Sequence, residues 1–281
     1  MIRNSSRGLS GRPDSESYGT EASNHEPAGM PPKTGRPSDE QGYDYHIVTV
    51  GEAVERAVSG EWDVPEFQRQ FVWRPSQICD LADSLWRNYP IGSLLLWREA
   101  NNDDAAPSSR WWIADGQQRL TSLCLLCGGE PAWLRRKPAD YRRRLLQRFE
   151  FGFDPSDEAS PIFVVASAAA ARDPRQVSVQ KLTAIDTSSE RDRAELQRLA
   201  TELKSSECYY GLQTAEIYER LMRVSLIRER TLMITLVRHK REQVLDIFER
   251  LNSRGMRFRR LLLKLAMEEI PAAFRQLHSR R

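Results

Sequence analysis

A compact layer of mixed strands and helices, α/β or α+β, is the fold the sequence predicts, and three observations carry it. Short apolar runs with strand character, Leu94 to Trp97 and Trp111 to Ala114, alternate with helical stripes at Ile78, Leu81, Ala82, Leu85 and at Leu120, Leu123, Cys124, Cys127. With 281 residues, 40% of them apolar, the chain is long enough to bury a core. The first 42 residues stand apart, eighteen of them being Gly, Pro or Ser without apolar periodicity. They read as a disordered tail of nearly cancelling charge, leaving a domain over 43–270 and a short basic tail over 271–281.

Taken in order, Val50, Val54, Ala57 and Val58 predict a short helix, and Trp62 and Val64 lead into Pro65 as an extended segment. In Phe67 to Trp73 aromatics alternate with Gln and Arg, as in a half-buried strand or loop. Ser76 is suited to cap a helix that runs to about Asn88. The apolar run Leu94 to Trp97 suits a buried strand, and Asn101 to Ser109 a loop. After the Trp111 strand and the helix that follows it, Gly128-Gly129 supplies a stop. Phe149 to Phe153 and Ile162 to Ala166 predict a strand pair. Ala184 to Ser206 and Tyr209 to Arg228 predict helices, the second with Ile217, Leu221 and Val224 on one stripe. Thr231 to Val237 alternates as a strand, and a helix follows with Val244, Leu245, Phe248 and Leu251 on its buried side. The order of elements makes the C-terminal part the more helical.

No run approaches the length of a membrane span and the N-terminus lacks a signal-peptide apolar segment, so a soluble cytoplasmic protein is the default expectation. Cys79, Cys124, Cys127 and Cys208 lie mostly in apolar helical patterns, where a free thiol behaves as a small hydrophobe. Cys124 and Cys127 make a C-x-x-C without a second pair, which favours core over zinc or redox chemistry.

The stretch Trp111 to Cys127 carries the chemistry. A strand gives way to a helix at Asp115-Gly116, with Asp115 where an N-cap belongs and the free amides of Gly116 to Arg119 offering an anion site. Arg119 adds a fork of donors beside it. Two uses stay open: a capped helix on a sheet with Gln117 and Gln118 merely solvated, or a phosphate cradle. The cradle has one conflict, because a capping Asp115 carboxylate occupies or repels the place of an anion. A divalent cation between carboxylate and phosphate, Mg2+ being the natural choice, would remove it.

Asp115-Gly116-Gln117-Gln118-Arg119, preceded by Val64 to Arg69 with Trp73 and by Tyr89 to Trp97, and followed by Phe248 to Gly255, resembles the N-terminal domain family of GmrSD-type restriction systems. Four blocks in order across about residues 45 to 265 make the resemblance specific. It implies an α+β, ParB/sulfiredoxin-like fold: a small mixed sheet with surrounding helices. It also implies a nucleotide-hydrolysing site at the Asp115 to Arg119 turn and a role in defence against foreign, often modified, DNA. Under that implication Asp115, Gln118 and Arg119 are the catalytic candidates, Asp115 positioning Mg2+ or water and Gln118 orienting the attacking water. Gly116, Gln117, Arg119 and Thr121 are nucleotide-binding candidates, with Asn252 and Arg254 closing from the far side. Gln68 and Arg69 are candidates for a phosphate or base edge at the same site as Arg119.

Charge points the same way. Seven basic residues between Arg135 and Arg148 face the single acid Asp140, with Trp133 and Tyr141 nearby. Such a run is a solvated face or a nucleic-acid contact. Residues 250–281 carry nine Lys or Arg against Glu268 and Glu269, although the chain as a whole is only +3. The histidines His25, His46, His239 and His278 form no His-Asn-His arrangement, so no HNH-type nuclease centre is expected. The alternatives to a nucleotide-hydrolysing sensor are a non-catalytic ParB-like DNA-binding module, using Arg69, Arg119 and the basic tail, and a module that docks on a nuclease partner subunit.

Overall fold

The structure, a computed structural model, describes residues 43–65, 68–98, 110–156, 163–165, 175–206, 209, 211–238, 243 and 247. The expected tails over 1–42 and 271–281, the loop from Asn101 to Ser109, the helix residues Val244, Leu245, Phe248 and Leu251, Cys208, His25, His239, His278, Asn252 and Arg254 lie outside them.

The fold is α+β. Strand β1 (Tyr43–Thr49) leads into helix α1 (Val50–Ser59), then β2 (Trp62–Asp63), α2 (Pro75–Trp86), β3 (Leu94–Trp97), β4 (Trp111–Asp115) and α3 (Gln117–Leu126). Helices α4 (Ala132–Arg135) and α5 (Ala139–Arg148) follow, then β5 (Phe151–Phe153), β6 (Phe163–Val165), β7 (Val177–Ser178) and α6 (Val179–Thr183). Helices α7 (Glu190–Ser205) and α8 (Thr214–Ser225), a 3-10 turn (Leu226–Glu229) and β8 (Thr231–Val237) complete the described elements. The main sheet is mixed, in the order β1-β8-β3-β4-β2, and a second sheet runs β6-β5-β7. Strand β3 lies parallel to β8 and antiparallel to β4, so its apolar run is flanked on both edges. That explains the burial of Leu94, Leu96 and Trp97.

Local chemistry sets most boundaries. The Thr49 hydroxyl accepts from the Glu52 amide at 3.1 Å while the Glu52 carboxylate accepts from the Thr49 amide at 2.7 Å, a reciprocal cap on α1. Gly60 closes that helix at φ 87°. Helix α2 starts one residue before the expected cap: Pro75 occupies its first position, Arg74 is the N-cap, and Ser76 lies inside the first turn. Helices α4 and α5 fall in the basic run, for which the sequence pattern named no element, and two further pieces escape it. The strand β1 precedes the first expected helix, and the short β7-α6 pair sits ahead of the charged helix that was expected from Ala184.

Helix α3 is the centre of the molecule. The expectation was one apolar stripe. Instead every residue from Leu120 to Leu126 is buried, against α1, α2 and α6. Its small polar residues permit this. The Ser122 hydroxyl donates to the Gln118 carbonyl at 2.8 Å, and the Thr121 hydroxyl accepts from the Trp133 indole at 3.2 Å.

The chain enters α3 through Gly116, the actual N-cap, at φ 90° and ψ 8°. Asp115 is the last residue of β4, paired with Leu95, and no side chain caps the helix. The expected Asp115 cap is therefore replaced by a left-handed glycine, and the Asp115 side chain makes no cap hydrogen bond. A Cβ on Gly116 would lie 2.4 Å from Leu94 Cδ2. Both backbone and packing thus exclude a side chain. Gly116→Ala is expected to cost about 1–3 kcal/mol from overpacking and φ strain together; a urea-unfolding midpoint equal to the wild type's would contradict the structure of this turn.

Candidate functional site

A cavity of about 250 Å3 opens beside α3. Its size is near the lower end of small-ligand sites, which run about 300–1,000 Å3. Three parts of the chain wall it. The segment after β2 gives Gln68, Arg69, Gln70 and Phe71; α3 gives Gln117 and Thr121; and α4, its connection to α5 and α5 itself give Trp133, Arg136, Lys137 and Tyr141. The described lining thus holds three cations and no Asp or Glu. Phe71, Trp133 and Tyr141 line it beside those charges, and burial pushes the Tyr141 hydroxyl's pKa up.

The cations differ in their partners. The Asp63 carboxylate is fully buried and accepts from Arg136 twice at 2.8 Å, from Arg110 at 3.2 Å and from the Val64 amide at 2.7 Å. Two guanidiniums on one buried carboxylate satisfy the charge that burial would otherwise leave costly. Arg136 is thereby fixed in the pocket wall. Arg69 and Lys137 form no ion pair within the described structure. Arg69 is exposed and Lys137 half-buried.

The predicted site residues divide into two groups. Gln68, Arg69, Gln117 and Thr121 line the cavity, whereas Asp115, Gly116, Gln118 and Arg119 do not. Arg119 donates from Nη1 to the Ser93 carbonyl at 2.7 Å and lies against Gly92. Burial lowers its pKa, and the nearby Asp115 charge opposes the shift. The guanidinium therefore braces the turn before β3, so Arg69 and Arg119 do not meet in one site. Gln118 is buried, not solvated. Its Oε1 accepts from the Val72 amide at 2.8 Å and its Nε2 donates to the Gln70 carbonyl at 3.2 Å, so its carboxamide is engaged with backbone. Gln117 donates to the Arg69 carbonyl at 3.1 Å, and Gln68 to the Ile113 carbonyl at 2.6 Å.

Trp133, Arg136, Lys137 and Tyr141 are the site residues that sequence reasoning left within a generic basic run. The available signal was the interleaving of aromatics with cations there, which was read for the run as a whole.

Among the described residues no three His, Cys, Asp or Glu side chains gather as a metal site. Asp115 stands exposed at the end of β4, a single carboxylate outside the cavity lining. Among the described residues this donor set does not fit a Mg2+ held by the protein alone. None of the helices in the described residues is long and apolar enough to cross a membrane.

Comparison with known proteins agrees with the motif reading. A family model described as GmrSD restriction endonuclease, N-terminal domain, matches residues 50–261. An uncharacterized protein of Methanocaldococcus jannaschii is 36% identical over 87 residues, which cover 25% of this chain and 15% of that protein. The chain thus spans a small part of that relative's length.

The C-x-x-C pair is part of the core. Cys124 is fully buried and Cys127 half-buried, and burial pushes the Cys124 thiol well up and the Cys127 thiol to about 11. A raised thiol pKa favours the folded state while the proton stays on, so this stability is present below the unfolded value of 9.0 and is lost as pH rises towards 11. At pH 8 iodoacetamide should label Cys127 about 100-fold more slowly in the folded than in the unfolded protein. Peptide mapping that finds equal rates would remove the thiol from the core.

Proposed function

The chain belongs to the GmrSD restriction endonuclease N-terminal domain family, and on that footing we propose that it binds a nucleotide in the cavity beside α3 as the sensing part of a restriction system directed against foreign DNA. One observation carries the reading: the described lining combines two cations outside any ion pair, Arg69 and Lys137, with Phe71, Trp133 and Tyr141 and with no acid. Phosphate oxygens are met by the Arg69 fork and the Lys137 ammonium. The aromatic walls take the apolar face of a base, and Gln68 and Thr121 supply the polar edges. Arg136, already held by Asp63, keeps the wall positive without having to be ordered by the ligand.

Hydrolysis is a separable step of the same proposal. Its groups are Asp115 and Arg119, neighbours at the mouth of α3 but outside the lining. A nucleotide that brings its own Mg2+ is offered Asp115 alone by the described residues, so the binding account is independent of the metal.

DNA is the second ligand class, favoured by α5. This helix lends Tyr141 to the cavity and exposes Arg143, Arg144 and Arg148 along its surface. Those side chains suit a phosphate backbone, and cutting is then assigned to a nuclease partner.

The test is equilibrium binding of each ribonucleoside and deoxyribonucleoside triphosphate, with phosphate release followed in parallel. Arg69→Ala and Lys137→Ala should each weaken nucleotide binding about tenfold or more, and Asp115→Ala, outside the lining, should bind normally. Wild-type affinity in both cation variants refutes the pocket. DNA binding that falls steeply with salt and needs no nucleotide favours the second reading.

A further inference from the structure

Residues 68–74 connect β2 to α2 without regular secondary structure, yet they form one wall of the cavity and carry Arg69 and Phe71. A segment of this kind presents backbone groups that no helix or sheet satisfies. Here three of them are satisfied from 46 to 48 residues away, by side chains of one residue type. Gln117 holds the Arg69 carbonyl. Gln118 holds the Gln70 carbonyl with its amide nitrogen and the Val72 amide with its oxygen. The two Gln118 contacts fall on the residues either side of Phe71, the pairing that one residue of a parallel strand would offer. The buried carboxamide thus acts as a single peptide unit of an absent strand, and Phe71 completes the seat with its ring edge-on to Phe149 at 5.5 Å.

We propose that Gln117 and Gln118 are positioning residues for this cavity: they clamp the 68–72 strap to the first turn of α3 and so set where the Arg69 guanidinium stands. This inference rests on the proposed nucleotide site. Gln118 does not line the cavity, so its effect on a ligand passes through the strap. The chemistry also explains the residue type. Two backbone groups of opposite polarity must be met at once by a buried side chain, 7% exposed. A carboxamide has both a donor and an acceptor, whereas a carboxylate would face the Gln70 carbonyl with a second acceptor.

The link from clamp to ligand is testable because a residue that acts through Arg69 loses its effect when Arg69 is gone. Gln118→Met keeps the volume and removes both hydrogen bonds. We expect it to weaken nucleotide binding about tenfold in the wild-type background and by less than about threefold in an Arg69→Ala background. Its Val72 amide should exchange with solvent deuterium at least about tenfold faster. Equal fold losses in the two backgrounds, or an unchanged Val72 exchange rate, overturn the clamp.

Should Gln118→Met fail to fold, Gln117→Leu carries the same test, since Gln117 is half-buried and makes one strap contact, to the Arg69 carbonyl. It should show the same smaller loss when Arg69 is absent, and equal losses overturn the proposal. A wild-type protein that binds no nucleotide overturns the proposed function; the Val72 exchange comparison needs no ligand and decides the clamp on its own.

Discussion

The left-handed turn at Gly116 is the constraint on which the site depends. It lets β4 end against β3 and sends the next ten residues into the core as α3, with Leu94 closing the space where a side chain would stand. The same turn sets the rotation of the helix. Gln117 and Thr121 then face the cavity, Gln118 faces the strap backbone, and Arg119 reaches the turn before β3. Four residues of the first helical turns therefore serve three directions. A motif that reads as one anion cradle is, in the folded chain, a joint between the sheet, the helix core and the strap.

Charge is organised around that joint in two layers. Asp63 is buried and carries two guanidiniums, one from just before β4 and one from just after α4, which ties the edge of the sheet to the cavity wall. A buried carboxylate so paired contributes modestly to stability and strongly to arrangement, because losing either guanidinium exposes it to the cost of burial without a partner. The second layer is Arg69 and Lys137, which form no ion pair within the described residues and lie on a strap and a helix connection rather than within a regular element.

Much of the fold was legible because strands β3, β4 and β8 are short apolar runs and helix α3 repeats apolar residues from Leu120 at helical spacing, and apolar period is the strongest local signal. Strand β1 was not, since Tyr43, Tyr45, His46 and Ile47 are exposed and mix polar with apolar residues on an edge. At the site, residue types were legible and directions were not. Asp-Gly ahead of a helix fits a capping aspartate, and only the sign of φ at Gly116 shows that the glycine caps and the aspartate stays in the strand. The glutamines look solvated locally because their partners lie 46 to 48 residues earlier. Arg119 could be placed beside the turn, but nothing in its neighbours indicates that Ser93 takes its proton donors. The family match over residues 50–261 supports the motif reading as a whole without deciding which side each residue faces.

The most direct test of the account is photo-crosslinking of the protein with an azido-nucleotide, followed by peptide mapping. The account predicts adducts within residues 68–72 and 133–141 that unlabelled nucleotide competes away. Adducts confined to other segments, or adducts that competition does not reduce, would contradict it.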